Sequence, residues 1–423
     1  MPAASGVVTQ ISWPELAEIV GKEHLRAASS EDFIDGVTPQ MVAEPGTAEE
    51  LAHALRWAHE AGIKVAPRGA GTKMGWGNPP AACDLVLSTA RLNRILEHAW
   101  ADMTVIVEAG CRVADLQKTL AQHGQRLALD PLWPERATIG GILSTNDSGT
   151  LRVRYGSLRD LIIGITVALP DGTLAKSGGR VVKNVAGYDL MKLFTGALGT
   201  LGVIVQAIFR LHPLPRESHS LSFPGAPAAL NQLLLAIQSS KLTFTGMQLL
   251  AQPGSARLDV RFDGTAAGIE AQINQIRQIA GSNAPSDAPA NAWTSHEAIW
   301  EGTAPALVTK FSVLPTQFTE VCSSVERAAK AQSLAWKIVV QSVGAGYARL
   351  EGSEQGLHTA LQSVRDEVGK MGGTLVALGC PVAVKRGLDV WGPTSDAQPL
   401  MVRIKQRFDP DGTLNPGRFL GGI

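Results

Sequence analysis

Hydrophobic residues in the first 125 positions follow two periods, one typical of helices and one typical of strands. A capping-box pattern at Thr47 and Glu50 precedes apolar residues at 51, 54, 55 and 58, and Gly62 can close this helix. Apolar residues at 113, 116 and 120 predict a second amphipathic helix. Short apolar runs predict strands at 63–66, 85–87 and 103–108. These elements indicate an α+β unit.

The following part of the chain predicts a hairpin and then a repeated order of elements. Apolar residues at 162–167 lead to Asp171-Gly172, a strong turn signal, and a strand is predicted at 203–211. Within 218–395 the order strand, helix, strand, strand, helix occurs twice, on either side of a linker rich in Ala, Pro and Ser at 281–290. This repeat indicates a separate cap domain built from ferredoxin-like units.

The composition and the cysteine spacing limit which partners, metal sites and locations are expected. Lys plus Arg and Asp plus Glu both total 38 in 423 residues, so no excess charge favours nucleic acid or an anionic membrane surface as a partner. Cys83, Cys111, Cys322 and Cys380 form no C-x-x-C pair, which predicts reduced, buried thiols and neither zinc nor an iron–sulfur cluster. The first ten residues lack signal-peptide features and no apolar run reaches ~20 residues, so we expect a cytoplasmic protein without a transmembrane segment.

The glycine-rich loop at 65–77, VAPRGAGTKMGWG, is the strongest candidate for chemistry. Glycine permits positive φ and has no Cβ, so successive backbone N–H groups can converge on phosphate oxygens. A P-loop is excluded because Met74 follows Lys73, and the spacing of Gly69, Gly71 and Gly75 is not that of a Rossmann motif. The loop therefore predicts a pyrophosphate cradle, with an ordinary tight loop as the alternative.

A second stretch, 130–204, is rich in small residues and contains IGG, NDSG, YGSLRD, LPDG, KNVAGYDL and GTLGVI in this order. Together with PRGAGT, these segments resemble in order and spacing the FAD-binding domain of the vanillyl-alcohol oxidase and p-cresol methylhydroxylase (PCMH) family. The resemblance implies an α+β fold: a PCMH-type FAD-binding domain of two α/β subdomains at 1–216, a cap domain with two ferredoxin-like units at 217–395, and a tail at 396–423 that returns to the FAD domain.

The same resemblance implies which residues bind FAD. Residues 68–73 would cradle the pyrophosphate, Ile204 would approach the adenosine through its backbone, and Tyr155 would brace the site with Arg159 and Asp160. A packing role alone is the alternative for each residue. The implied FAD-binding residues are Pro67, Arg68, Gly69, Ala70, Gly71, Thr72, Lys73, Pro131, Thr138, Gly140, Gly141, Ser144, Asn146, Gly149, Tyr155, Ile204 and Asn415.

Two departures from the family pattern shape the expected chemistry. Relatives that bind flavin covalently use a histidine at the position of Thr72 or a cysteine in a later segment, and this chain has neither, so non-covalent FAD is implied. Relatives that oxidise 2-hydroxy acids place paired histidines in the cap, which hold a metal and act as acid or base. His219, His296 and His358 are isolated in sequence, so neither a metal site nor a catalytic residue is assigned.

Across its length the chain resembles the FAD-binding subunits of bacterial glycolate oxidase complexes. The resemblance implies two partners, a catalytic flavoprotein subunit and an iron–sulfur subunit, in a complex that oxidises the small 2-hydroxy acid glycolate to glyoxylate. FAD would accept or relay the electrons, and the complex could attach the chain to the periphery of the inner membrane. One alternative is a self-sufficient FAD-dependent oxidoreductase of another small 2-hydroxy acid or alcohol. Another is a non-catalytic flavoprotein scaffold.

Overall fold

The computed structural model describes residues 12–179 and 188–423. Most of the KNVAGYDL motif and the N-terminal segment examined for a signal peptide lie outside the described residues. Within the described part of the chain, no helix combines the length and the apolar content needed to cross a lipid bilayer.

The first sheet contains the strand that leads into the glycine-rich loop. It is built from strands β1 (Leu25–Ala27), β2 (Met41–Ala43), β3 (Val65–Arg68) and β4 (Leu85–Ser88), with helices α1 (Trp13–Val20) and α2 (Ala48–Glu60) packed on it. The strand order is β1-β2-β4-β3, in which β4 is parallel to both β2 and β3. The loop therefore leaves from the carboxyl end of an edge strand.

Helix α2 differs in detail from the predicted capping box. Thr47 Oγ1 accepts a hydrogen bond from Glu50 N at 3.0 Å, as predicted, but the Glu50 carboxylate accepts from Gly46 N at 2.7 Å. The strand predicted at 63–66 begins only at Val65. The reason is that Ile63 N still donates to Ala58 O, which closes the helix before the strand can start.

The second sheet is antiparallel and carries the other wall of the candidate site. This region contains β5 (Ile95–Ala99), β6 (Thr104–Glu108), α3 (Val113–Ala121), β7 (Gln125–Arg126), α4 (Ile139–Thr145), α5 (Arg152–Tyr155), α6 (Leu158–Leu161), β8 (Ile162–Ala168), β9 (Leu174–Gly178), α7 (Leu190–Phe194), β10 (Val203–Arg210) and β11 (His212–Pro213). The sheet order is β5-β6-β10-β8-β9, and β7 pairs with β11. The predicted Asp-Gly hairpin is confirmed as the β8–β9 connection. The IGG segment lies at the start of α4.

The cap contains two ferredoxin-like units side by side. The first consists of β12 (Glu217–Pro224), α8 (Pro227–Gln238), β13 (Gly246–Gln252), β14 (Ser255–Gly264), α9 (Ala266–Ala280) and β15 (Ser286–Asp287). After α10 (Ser295–Ala298), the second consists of β16 (Ala306–Ser312), α11 (Phe318–Ala331), β17 (Ala335–Gln341), β18 (Ala345–Glu351), α12 (Glu354–Lys370) and β19 (Thr374–Gly379). The sheet order β15-β12-β14-β13-β17-β18-β16-β19 gives each unit the order 4-1-3-2, and β13 pairs with β17 to join them.

The repeated order of elements is confirmed, and each unit ends with a strand that the sequence pattern does not predict. The short strand β15 lies within the predicted linker, where residues 286–287 pair with β12. The cap helices cover one face of the cap sheet. Residues on the opposite face, including Val308 and Leu378, pack against Trp76 and Leu132 of the FAD-binding part. The glycine loop therefore borders the cap.

The C-terminal segment, which includes α13 (Val382–Lys385) and α14 (Gln398–Phe408), returns to β3. Val65 N donates to Thr413 O at 2.8 Å, and Asn415 N donates to Val65 O at 2.9 Å. The tail thus runs beside the strand that carries the loop.

A buried ion pair holds this tail in place. Lys405 Nζ lies 2.5 Å from Asp409 Oδ2 and donates to the carbonyl oxygens of Thr200 and Leu414. Asp409 in turn accepts from the backbone N–H groups of Thr413 and Leu414. The pair therefore connects α14 to both the tail and the segment before β10.

Lys405→Met leaves the buried Asp409 carboxylate without its cation, so we expect the free energy of unfolding to fall by ~3–5 kcal/mol. Urea denaturation of the two proteins measures the difference. Lys192→Met is the matched control, because it removes an ion pair with Asp189 in which both side chains are about half exposed. That change should cost less than ~1 kcal/mol. Equal losses in the two variants would contradict a stabilising role for the buried pair.

Candidate cofactor site

A groove is built around the loop that follows β3. Gly71 and Gly77 have φ of 77° and 84°, a region that side chains with a Cβ rarely adopt. Gly69 lies against Thr138, and a Cβ at Gly69 would clash with the Thr138 hydroxyl oxygen. Thr138 caps α4 and accepts a hydrogen bond from Gly141 N at 3.3 Å. The loop and the start of α4 approach closely because Gly69 has no side chain.

Most of the predicted FAD-binding residues line this groove together. They are Pro67, Arg68, Gly69, Ala70, Gly71, Thr72, Lys73, Thr138, Gly140, Gly141, Ser144, Ile204 and Asn415. The sequence analysis missed further lining residues, which are Met74, Thr89, Thr145, Leu198, Gly199, Gly202, Val203 and Arg418. Met74 lies in the glycine-rich loop, Gly199, Gly202 and Val203 belong to the GTLGVI motif, and Arg418 follows the Asn-Pro-Gly of the tail, so the motifs did carry a signal for these five.

Pro131, Asn146, Gly149 and Tyr155 do not line the groove. Asn146, with φ of 48°, ends α4, and Gly149 packs closely against Asp130. The Tyr155 hydroxyl accepts a hydrogen bond at 2.8 Å from an arginine of β7. Their involvement in FAD binding stays a prediction.

Arg159 and Asp160, expected to brace the site together with Tyr155, stabilise nearby backbone. Arg159 Nη2 donates to Thr195 O at 2.8 Å, just before the turn that contributes Leu198 to the groove. Asp160 accepts from Ser157 N at 2.8 Å and closes the N-terminus of α6. Of the two, Arg159 acts on a segment that forms part of the groove wall.

Arg68, in the groove wall, is held by an ion-pair network that sequence analysis missed. Arg68 Nη1 lies 2.6 Å from Asp32 Oδ1, and Arg26 Nη1 lies 2.7 Å from Asp32 Oδ2. Asp32 is buried and also accepts from Ser29 N. The hydrogen bond from Arg26, followed by those from Ser29 and Arg68, holds the pKa of the Asp32 carboxyl well below its ordinary value. Asp32 is thus charged at neutral pH and fixes the Arg68 guanidinium.

Two buried cations hold the far half of the loop through its carbonyl groups. Arg418, from the C-terminal tail, donates to Met74 O and Trp76 O. Lys385, at the end of α13, donates to Gly75 O and forms an ion pair with Asp35 at 2.9 Å. The loop is therefore fastened to the tail and to the end of the cap.

Lys73 lines the groove, but its ammonium group is already paired. Lys73 Nζ lies 3.1 Å from Asp147 Oδ2 and 3.4 Å from Leu132 O, and the rings of Trp76 and Trp133 flank it at 5.8 and 5.4 Å. The side chain therefore connects the loop to the segment after α4. Its predicted contact with pyrophosphate stays a prediction.

Metal and thiol chemistry receive no support from the described residues. No His or Cys lines the groove, and no group of three or more His, Cys, Asp or Glu in residues 12–179 and 188–423 is arranged to hold a metal ion. The four cysteines are free, as predicted, although Cys380 is only partly buried. Burial raises the pKa of the Cys83 and Cys111 thiols to about 11, which keeps them protonated at neutral pH.

Comparison with known proteins agrees with a flavin site. The FAD binding domain family matches residues 39–178. Glycolate oxidase subunit GlcD of Bacillus subtilis is 33% identical over 217 residues, a match of 51% of this chain and 46% of that protein. The chain thus spans about half the length of this relative. Mitochondrial D-lactate dehydrogenase [cytochrome] of Arabidopsis thaliana is 28% identical over 90% of this chain and 73% of the relative.

The solved structure of p-cresol methylhydroxylase with substrate bound superimposes on this chain with a TM-score of 0.76. The match covers 96% of this chain and 95% of the p-cresol methylhydroxylase chain, at 14% sequence identity. The molecule is therefore an FAD-binding flavoprotein with the PCMH-type fold. The chain is similar to FAD-dependent oxidoreductases, among them the glycolate oxidase subunit and the D-lactate dehydrogenase. The groove suits this cofactor because a glycine-rich loop faces the start of α4. A Cβ at Gly69 would clash with Thr138 and prevent the loop from packing this closely on α4.

Gly71→Val should abolish FAD binding, because the loop needs the positive φ at this position and a β-branched residue there costs ~1–3 kcal/mol. FAD released by acid precipitation, per mole of chain, is the measurement. Gly264→Val is the control: Gly264 has no positive φ, and its Cβ would meet only Ile269 Cγ1 at 4.0 Å. Equal flavin occupancy in the two variants would rule out the loop as the cradle.

Asp32→Asn should lower stability in a pH-dependent way. Because the pKa of the Asp32 carboxyl is depressed in the folded state, its contribution is fully present above about pH 4 and is lost as the pH falls further. The stability difference from the natural protein should therefore be largest at neutral pH and shrink on acidification, as measured by urea unfolding. Asp396→Asn, at an exposed position, should show no such trend. A pH-independent difference for D32N would contradict the assigned ion pairs.

Proposed function

We propose that this chain binds FAD non-covalently in the groove and is the FAD-binding subunit of a glycolate dehydrogenase complex, which oxidises glycolate to glyoxylate. The observation that carries the proposal is a cofactor groove whose described lining contains no His, Asp, Glu or Tyr side chain that could act as a base. The chain would hold FAD for electron transfer, while a partner subunit supplies the chemistry on the hydroxy acid.

The residues of the groove bind and orient the cofactor. FAD supplies an isoalloxazine that can take up one or two electrons. Arg68, fixed by Asp32, places a cation in the groove wall for the pyrophosphate charge. The backbone at 69–73 lines the same wall. Thr72 has neither an imidazole nor a thiol, which supports non-covalent binding.

Oxidation of a 2-hydroxy acid needs a group that accepts the hydroxyl proton as hydride leaves Cα, and a positioned base is worth ~10²–10⁴ in rate. On the cap side, burial raises the pKa of Tyr347, so its hydroxyl stays protonated. Asp147 is paired with Lys73. Tyr155 and Asp189, two other acids in this half of the chain, do not line the groove. The arrangement therefore supports an accessory role.

The proposed partners are a longer catalytic flavoprotein and an iron–sulfur subunit. The Bacillus subtilis relative is named as a subunit of glycolate oxidase, which supports assembly with other chains. A flavin that exchanges electrons singly can serve an iron–sulfur cluster, and such clusters need cysteine thiolates that this chain does not group together. The cluster would then lie in a partner. A cytoplasmic location, with attachment to the inner membrane through the complex, belongs to the same proposal.

A self-sufficient oxidoreductase of a small 2-hydroxy acid is the second candidate. The observation in its favour is the match to D-lactate dehydrogenase, which covers 73% of that enzyme and 90% of this chain. This candidate would require the isolated chain to reduce its own flavin with substrate.

Anaerobic mixing of the FAD-loaded chain with glycolate, followed by flavin absorbance, separates the two candidates. We expect no bleaching by the isolated chain, because no described His, Asp, Glu or Tyr lines the groove, and bleaching once the catalytic flavoprotein subunit is added. Rapid stoichiometric bleaching of the isolated chain would favour the self-sufficient enzyme. No bleaching of the reconstituted complex would refute glycolate as its substrate.

A further inference from the structure

A two-residue hairpin turn near the start of the chain lies between the glycine-rich loop and helix α13. Ile34 and Val37 exchange both backbone hydrogen bonds at 3.0 Å, and the central residues Asp35 and Gly36 have φ of 50° and 86°. Positive φ at both central positions defines a type I′ turn, for which Asp-Gly is a preferred sequence. The turn therefore carries a carboxylate at its tip.

The turn contacts both the loop and α13. Ile34 packs in the same apolar cluster as Met74, a loop residue that lines the groove. A Cβ at Gly36 would lie 3.3 Å from Arg386 Nη2 and 3.7 Å from Val382 Cγ1, so the tip of the turn is close to α13. A change in the position of α13 relative to the turn would therefore be felt at the loop.

Asp35 supports the two cations that hold the loop carbonyls. Asp35 Oδ2 lies 2.9 Å from Lys385 Nζ, and the side chains of Lys385 and Asp35 are 1% and 9% exposed. Lys385 donates to Gly75 O and, at 3.3 Å, to Gly77 O. Burial lowers the pKa of Arg418, the second cation, and the charge of Asp35 offsets part of this effect. One carboxylate thus helps to keep both cations charged.

The negative charge of Asp35 does not itself favour an anionic cofactor. Asp35 Oδ1 would lie 3.9 Å from a Cβ at Gly75, so the carboxylate is close to the loop, and its charge opposes that of the FAD pyrophosphate. Its contribution is to compensate the Lys385 ammonium, because a buried charge without a partner is strongly destabilising. Asp35 is therefore suited to fixing the loop and not to attracting the cofactor.

We propose that Asp35 is a positioning residue for FAD, which holds Lys385 on the carbonyl groups of the loop and thereby links cofactor binding to the position of α13. The inference depends on FAD binding in the groove and not on glycolate as the substrate. Because such a link is reciprocal, FAD bound to the loop should also hold α13 in place.

Asp35→Asn separates positioning from charge, since Asn adopts positive φ as Asp does and keeps the turn while the ion pair is lost. Titration of the full, flavin-free chain with FAD, followed by flavin fluorescence, should show binding weakened by about tenfold, within the range typical of coupled sites. If Asp35 acted through its charge alone, D35N would bind FAD more tightly, because a negative charge near the pyrophosphate is removed. Unchanged or tighter binding would overturn the proposal.

Lys385→Met and the double variant test whether the two residues act as one unit. The double variant should bind FAD like Lys385→Met alone, because the two changes remove the same interaction. Additive losses of affinity would contradict the proposed route through Lys385.

Asp259→Asn is the matched control. Asp259 is a fully buried carboxylate that pairs with Arg257 at 3.1 Å and accepts from Ser222 Oγ at 2.8 Å, and these partners all lie in the cap. The variant should lower the free energy of unfolding but leave the FAD affinity of the folded chain unchanged. A loss of affinity equal to that of D35N would mean that FAD binding follows overall stability, which would overturn the specific role of Asp35.

Amide hydrogen exchange of the natural protein tests the link without any variant. FAD should slow exchange at residues 382–386, in and just after α13, more than in α9 of the first cap unit. Stabilisation of the whole molecule by a bound ligand would slow exchange in both helices alike. An equal effect on the two helices, or no effect on α13, would overturn the link.

Discussion

The structure depends on holding one loop with its backbone open to a cofactor. A phosphate cradle needs N–H groups that converge, and convergence needs positive φ at Gly71 and close packing of Gly69 on Thr138. Neither condition is favourable in an isolated peptide, because glycine loses much conformational freedom when it is ordered. The loop keeps its shape because the rest of the molecule fixes both of its ends and its carbonyl groups.

Buried charges provide much of that fixation, together with the packing of Trp76 against the cap. Asp32 holds Arg68 at the start of the loop, and Lys385 and Arg418 hold the carbonyls further along. A buried charge is expensive unless it is paired. Asp32 and Lys385 have ionic partners, so removing one member of either pair leaves the other uncompensated, whereas Arg418 donates to carbonyl groups. The cap, the tail and the first sheet are thereby connected through the cofactor loop, and a cofactor that binds only the folded loop would stabilise all three.

The cap uses one sheet face for stability and the other for contact with the flavin domain. Helices of the two ferredoxin-like units bury the first face in a continuous apolar core. On the second face aromatic side chains surround polar groups, and the stacked rings of Trp76 and Trp300 lie 5.9 Å apart. Such a lining excludes water while leaving donors such as the Tyr347 hydroxyl unpaired. A flavin site without paired histidines is thus bordered by a cap face that is mainly aromatic and apolar.

The sequence by itself determined features that depend on neighbouring residues. Periodicity predicts α2, the β8–β9 hairpin and the repeated order of the cap, and the ordered glycine motifs predict most of the groove. Only the tertiary structure decided that Gly149 and Tyr155 lie away from the groove, and that Asp32 holds Arg68 in the groove wall. The physical reason is that a single charged residue carries no periodic signal, and its partner is set by how distant segments pack. Local backbone chemistry can be inferred from order and spacing, whereas the pairing of isolated charges depends on the completed fold.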